Sequence, residues 1–295
     1  MARDRKNEKT AYLFIAPFLA FFAIFKLYPM VYGFLVSFLD RNNTKKLTST
    51  TFVGLDNFAK ALSNSTLLSS FVHTLVFSLV YTVLVMAFGF LVAMLFNRDF
   101  RGRTAARTMF YMPYVTNLIA VGIVFKYLLN PQKGPVNAIF RAFGMMGPKW
   151  LQSPSLALVT TAVIGAWAAL AFNVITMLAA LQDIPKDLYE VADIEGVTFW
   201  QRIRYIVLPM VSPTLFLLLT ITIINSFKNY TTIMGLTAGG PGTATRVVSL
   251  QIYEDAFTYS KFSIAAAEGL MFTIFIILVN VLVSKGREAW ERRIM

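Results

Sequence analysis

The 295 residues are 57% hydrophobic and 15% aromatic, and only 14% are charged, against about 25% in an ordinary soluble domain. A net charge of +12 would suit a nucleic-acid binder, but in a chain this apolar it reads as basic loops flanking membrane spans, so no nucleic-acid partner is expected. With no cysteine and the single His73, disulfides, thiolate metal sites, a cysteine nucleophile and a His-rich metal centre are excluded, and no cofactor is expected.

In chain order, residues 1–10 (MARDRKNEKT) form a polar tail with four basic groups. The apolar stretch after it contains Lys26, Pro29 and Gly33. It is too long and interrupted for a signal-peptide core and reads as a first span over 11–39. Further spans are expected at 70–97, 104–129, 156–181, 205–235 and 263–284. Residues 71–96 and 156–181 each run 26 residues without Asp, Glu, Lys or Arg, where a helix needs roughly 20 to cross a bilayer. Backbone groups in lipid must be satisfied internally, so these segments should be helices; the short alternating segments of a barrel are absent. His73 falls near the start of the second span, where it suits packing or hydrogen bonding. Glu268 is the one acid inside an expected span, able to pair with Lys261 or with a partner chain.

Basic residues give the orientation. With the N-terminus inside, segments 1–10, 97–107, 182–205 and 285–295 hold 15 Lys and Arg in 56 residues, against 9 in 82 for the outer segments 39–67, 130–155 and 236–262. The density favours both termini on the cytoplasmic side. Lys26, Lys126 and Lys228 then lie near outer span ends, where long stems snorkel to the headgroups. Segment 182–205 is unusual, with five acids and three basic groups. Its Asp187 and Glu190 fall early in a helix, where carboxylates favour the positive dipole end, so it is a candidate docking element.

Residues 190–209 read EVADIEGVTFWQRIRYIVLP. This run resembles the cytoplasmic E-A-A signature of binding-protein-dependent ABC permeases. Glu190, Ala192, Gly196, Ile206, Leu208 and Pro209 stand at the family's spacing, and Val191 replaces the middle alanine. The physics suits such a knuckle: Gly196 permits a turn closed to other residues, Ala192 lets another backbone come close, and Pro209 starts the next span at little cost. Glu190 could cap the knuckle or meet a basic group on a partner. FVGLDNF at 52–58, LTAGGPGTAT at 236–245 and IYEDAF at 252–257 resemble the sugar-importing subgroup with MalF-like and glycerol-phosphate permeases. GGPG lacks a following Lys-Ser/Thr and lies outside by the charge count, so it reads as a structural turn. No G-x-x-x-x-G-K-[ST] occurs in the sequence, so a P-loop ATPase cannot reside here.

The resemblance implies an all-α fold of six transmembrane helices in the type I (MetI-like) importer arrangement, in a bacterial or archaeal cytoplasmic membrane. It divides the chain into an inner tail 1–10, a lipid-embedded permease domain 11–284 with coupling segment 182–205, and an inner tail 285–295. It also implies a second, MalG-like permease chain, two cytoplasmic ATP-binding subunits, an extracytoplasmic solute-binding protein and a carbohydrate or sugar-phosphate-like substrate moved by alternating access. The chain itself is then no enzyme. Carried over from maltose-type permeases, Tyr114, Ala168, Phe172, Ser226 and Asn229 match sugar contacts; Ser226 and Asn229 are three apart, on one helix face. Trp167 and Asn173 are neighbours of open facing, and helix–helix hydrogen bonding is the alternative for such polar groups. An ion- or proton-coupled carrier and a polytopic membrane enzyme are the rivals. For the first, the lone carboxylate Glu268 in the spans is a thin basis for proton coupling, and the second would need an acidic metal-binding cluster at a membrane face.

The topology makes a prediction. A reporter active only in the cytoplasm should work when fused after Met295, and one active only outside should work when inserted at Gly147. Swapped activities would overturn the helix count or the orientation.

Overall fold

The computed structural model describes residues 5–41 and 50–294; residues 1–4 of the expected tail and 42–49 of the first outer segment lie outside it. Helix α1 (Arg5–Phe22) runs into a widened π turn at Ala23–Leu27 and then α2 (Tyr28–Val36). The cause is local. Pro29 has no N–H and its ring crowds the carbonyl four residues back; the chain slackens by one residue, and the Tyr28 N–H reaches the Ala23 carbonyl instead. Residues 5–10 of the expected polar tail are helical, as the start of α1.

The chain divides into two compact units, residues 1–65 with 252–273 and residues 66–251 with 274–295. In the first, β1 (Leu39–Asp40) and β2 (Thr51–Phe52) pair antiparallel. This is a departure from the all-helical expectation confined to two residues a strand. Gly54, at φ +59°, turns the chain into α3 (Asp56–Ser63). From α3 the buried Asn57 amide donates to the carbonyls of Ser37 (2.8 Å) and Leu39 (3.0 Å). The FVGLDNF run thus ties off the end of α2. The Ser263 hydroxyl accepts from the Arg41 N–H at 2.8 Å and donates to its carbonyl at 3.0 Å. Lys261 pairs with Asp255 at 3.6 Å, and Glu268, its expected partner, is fully buried.

The second unit contains α4 (Ser65–Asn97), α5 (Arg103–Val115), α6 (Leu118–Leu128), α7 (Pro135–Ala142), α8 (Pro154–Gln182), α9 (Lys186–Ile194), α10 (Phe199–Arg202), α11 (Leu208–Phe227), α12 (Tyr230–Leu236) and the start of α13 (Val248–Tyr253); α14 (Phe262–Ile294) has its C-terminal part here and absorbs the expected tail 285–294. Two expected spans are corrected. The third is not one helix over 104–129: α5 and α6 meet at a bend of 100°. The fifth does not run 205–235. It starts at Phe199, passes a π turn at Ile203–Val207 ahead of Pro209, and ends at Phe227, leaving α12 as a separate short helix. Among the described residues, five helical stretches are long and apolar enough to cross a membrane, and six if the bent pair is one broken span.

Small residues let these pieces close up. Helix α8 buries 56% of its most apolar window, against none for the first span, and its inward positions include Ala157, Ala162, Gly165, Ala166 and Ala171. Without a hydrophobic drive between helices in lipid, such close backbone packing is what holds a bundle. One core layer gathers Phe77, Tyr81, Leu158, Ala162 and Ile233; another gathers Phe96, Met177, Leu178, Val207 and Leu218. His73 makes the hydrogen bond its position suggests, Nδ1 to the Arg246 carbonyl at 3.1 Å. Helix α12 packs on α6 glycine to glycine: a β-carbon on Gly122 would lie 2.8 Å from the Gly235 carbonyl carbon.

Gly122→Ala should therefore lower the melting temperature of the purified protein, by a cost of about 1–3 kcal/mol for overpacking. Gly286→Ala, in helix α14 with nothing within 4 Å of the added carbon, should leave it unchanged or slightly higher. Equal melting of both variants would contradict the α6–α12 contact.

Candidate functional site

Two sites emerge, a knuckle between α8 and α11 and a polar strip inside the bundle. In the knuckle, α9 carries Asp187 in its first turn and ends where Gly196 takes φ +65°. The Val197 N–H then bonds the Ala192 carbonyl at 2.9 Å, and the Gly196 N–H bonds that of Asp193 at 3.3 Å. This left-handed stop satisfies the last carbonyls of the helix. Thr198 restarts the chain with a capping box: its hydroxyl accepts from the Gln201 N–H, and the Gln201 side-chain oxygen accepts from the Thr198 N–H at 2.9 Å.

Asp193 and Arg202 form an ion pair across the turn, with the Arg202 guanidinium 5.9 Å from the Tyr189 ring centre. Burial pushes the Tyr189 phenol above its ordinary pKa, and the Arg202 charge pulls it back. Ala192 is 2% exposed and forms the inward side. Ile206 packs on the inner core layer, and Leu208 and Pro209 begin α11 just past the π turn. Outward stand Val191, Ile194 (84% exposed), Phe199 and Trp200 (76%). The capping is done by Thr198 and Gln201, while Glu190 is exposed and takes no part in it. The Asp193–Arg202 clamp was not foreseen in the sequence; the capping box could have been, because T-x-x-Q before an apolar run is its signal.

Inside the bundle the five expected contact residues separate. Ser226 is 2% exposed, donates to the Ile223 carbonyl at 2.7 Å and meets the Ser78 hydroxyl of α4 at 2.5 Å. One turn earlier, the Thr222 hydroxyl donates to the Asn173 side-chain oxygen of α8 at 3.3 Å. Both contacts join α11 to a neighbouring helix, the helix–helix hydrogen bonding weighed against ligand contact for such polar groups. Asn229 does not share a helix face with Ser226. It follows the end of α11 and caps α12, its Oδ1 accepting from the Thr232 N–H at 3.3 Å. Its Nδ2 lies 3.4 Å from the position of a β-carbon built on Gly165, with Tyr81 beside it.

Gly165, Ala168 and Phe172 fall at i, i+3 and i+7 on α8, one stripe about 10 Å long. Tyr114 stacks on Phe172 at its far end, with centroids 6.2 Å apart and planes 19° apart. An amide N–H thus marks one end of the stripe and an aromatic plate the other, while Ala168 between them is 4% exposed. Trp167 points elsewhere: it meets Phe125 edge-on at 5.3 Å in an apolar cleft of about 330 Å³ at the α5–α6 bend. The GGPG segment is a closed turn, with the Thr245 hydroxyl donating to the Gly240 carbonyl at 2.8 Å. An amide donor and stacked aromatics suit a neutral polyhydroxylated ligand. Among the described residues no group of three His, Cys, Asp or Glu could hold a metal ion.

A family model described as the binding-protein-dependent transport system inner membrane component matches residues 85–294. The chain is 28% identical over 281 residues to the probable starch degradation products transport system permease of Thermoanaerobacterium thermosulfurigenes, covering 95% of this chain and 94% of that one. It is 32% identical over 275 residues to the sn-glycerol-3-phosphate transport system permease of Agrobacterium fabrum, with 93% of each chain covered. In fold it is similar to a chain in the crystal structure of a bacterial alginate ABC transporter in complex with alginate pentasaccharide-bound periplasmic protein. That match has a TM-score of 0.85 at 23% identity, over 98% of this chain and 97% of that one.

The Ser78–Ser226 contact has its own test. A double-mutant cycle of Ser78→Ala and Ser226→Ala, read by unfolding of the purified protein, should give a coupling of about 0.5–1.5 kcal/mol. A coupling indistinguishable from zero would remove Ser226 from the packing and return it to the candidate ligand contacts.

Proposed function

This chain belongs to the family of binding-protein-dependent transport system inner membrane components, and from that premise we propose that it is one half of the pore of an ATP-driven carbohydrate importer. The observation that carries the reading is the knuckle. A helix–glycine–helix turn presents the exposed apolar side chains of Val191 and Ile194 from a membrane protein whose sequence has no P-loop of its own. Such a surface requires a partner, and two ATP-binding subunits with their seat at segment 182–205 supply both the cover and the energy. The relatives described as permeases of a probable starch degradation products transport system and of an sn-glycerol-3-phosphate transport system support a carbohydrate or a sugar-phosphate-like solute. The chain would perform no catalysis itself.

The charge distribution supports both termini and the knuckle in the cytoplasm, with segments 39–67, 130–155 and 236–262 facing an extracytoplasmic solute-binding protein. The membrane would be the cytoplasmic membrane of a bacterium or archaeon, with residues 11–284 as the permease domain. A second, MalG-like permease chain would complete the pore. In the closing stroke of the ATPases, Glu190 would meet a cation on the ATPase surface, and the Asp193–Arg202 clamp would make the turn move as one body. Ile206, Leu208 and Pro209 would pass the displacement to α11 and on to the capped break before α12. Sugar would then lie against the Tyr114 and Phe172 rings and the Asn229 amide once the stroke uncovers Ala168, which is buried here.

Asn229 sharpens the test, since its oxygen serves α12 and its nitrogen would serve the substrate. In proteoliposomes containing the full complex, radiolabelled sugar uptake should require ATP. Asn229→Asp keeps a capping oxygen but loses the donor, so it should assemble normally and slow uptake several-fold, for a lost hydrogen bond of about 0.5–1.5 kcal/mol. Gly196→Asp, strained at positive φ and charged where the ATPase seats, should insert but fail to couple hydrolysis to uptake. Uptake driven by an ion gradient without ATP, or wild-type coupling in Gly196→Asp, would overturn the reading.

A further inference from the structure

Helix α4 presents one outward stripe in which Ala87, Leu91 and Leu95 follow at helical spacing and lead to Arg98 just past its end, each lining a groove closed by Trp200 and Ile203. The groove is apolar along its length and measures about 550 Å³. At its basic end it shares Met94, Arg98, Phe199 and Ile203 with a second cleft of about 220 Å³, whose further lining includes Asn97, Tyr189 and Arg202. The pair is therefore an amphipathic channel: a hydrocarbon wall leading to two guanidinium groups, an amide and a phenol. From Ala87 to Arg98 it runs eleven residues, about 16 Å of helix, close to half of a roughly 30 Å hydrocarbon core. An acyl chain of one leaflet fits that length, and a phosphate fits that end.

Arg98 is poised for such a ligand. It is exposed, has no carboxylate partner among the described residues, and is held by the face of Phe199 at 5.9 Å. We propose that this channel binds one anionic phospholipid, with its phosphate at Arg98 and an acyl chain along the α4 stripe against Trp200. Placing that lipid in the inner leaflet rests on the cytoplasmic assignment of the knuckle proposed above; the binding itself does not. Because Phe199, Trp200 and Ile203 leave the knuckle directly, the bound lipid would bridge the end of α4 to the segment that takes up the ATPase stroke.

The test uses the assembled complex in phosphatidylcholine vesicles, with bromines on the acyl chains of either phosphatidylglycerol or phosphatidylcholine as fluorescence quenchers. The Trp200 signal is the difference between the wild type and Trp200→Phe. Brominated phosphatidylglycerol should quench it at about five-fold lower mole fraction than brominated phosphatidylcholine. Arg98→Gln should abolish that preference, and Arg98→Lys should keep most of it. Equal quenching by the two lipids in the wild type, or a Trp200 signal that neither quenches, would overturn the proposal; the second result would mean that a partner subunit covers the groove. Sugar uptake measured in the same vesicles separates the two readings, because preferential quenching supports the lipid site whether or not uptake is seen.

Discussion

At two breaks within apolar stretches, before α6 and before α12, an asparagine side chain takes over hydrogen bonding that the helix backbone gives up. Asn117 accepts from the N–H groups of Ile119 at 2.9 Å and Ala120 at 3.3 Å, and Asn229 accepts from Thr232. These caps pair N–H groups that each break leaves without an intrahelical partner, and the packing of the second unit follows from the breaks. They free α6 and α12 from the long helices before them, and the pair then closes glycine on glycine at Gly122 and Gly235.

The two proposed working parts of the molecule use different physics. Along α8 the glycine and alanine positions allow the amide of Asn229 and the ring of Tyr114 to approach the same helix from different elements. The knuckle instead holds its shape with a glycine stop and polar groups: a threonine–glutamine box and the Asp193–Arg202 pair. A surface ion pair contributes little to stability by itself. Its value here is geometric, since with the box it fixes α9 and α10 as one body joined directly to α11.

Much of this was legible in the sequence. Charge-free runs gave the long helices, and Gly196 marked its own positive φ. The broken spans were harder, because hydropathy averages across them. Asn117 before an apolar run was a readable cap signal, and a 31-residue fifth span was longer than a membrane needs; both pointed to interruptions. Ser226 shows the limit. Spacing placed it beside Asn229, but the helix ends at Phe227 and the hydroxyl turns to Ser78 on a helix 148 residues away in sequence. The two-residue strands were likewise invisible, since four residues carry no periodicity.

The central claim is that the knuckle is the covered, cytoplasmic contact of this chain with its energy source. The sequence contains no cysteine, so single cysteines can be introduced at Ile194 and, in the opposite expected segment, at Met146, which is 98% exposed. Labelling with a membrane-impermeant maleimide is then compared in inside-out vesicles with and without the ATPase subunits. Ile194→Cys should label rapidly in vesicles lacking the ATPase and become protected when it assembles, while Met146→Cys stays unlabelled throughout. Unchanged labelling of Ile194→Cys on assembly, or labelling of Met146→Cys from that side, would contradict the account.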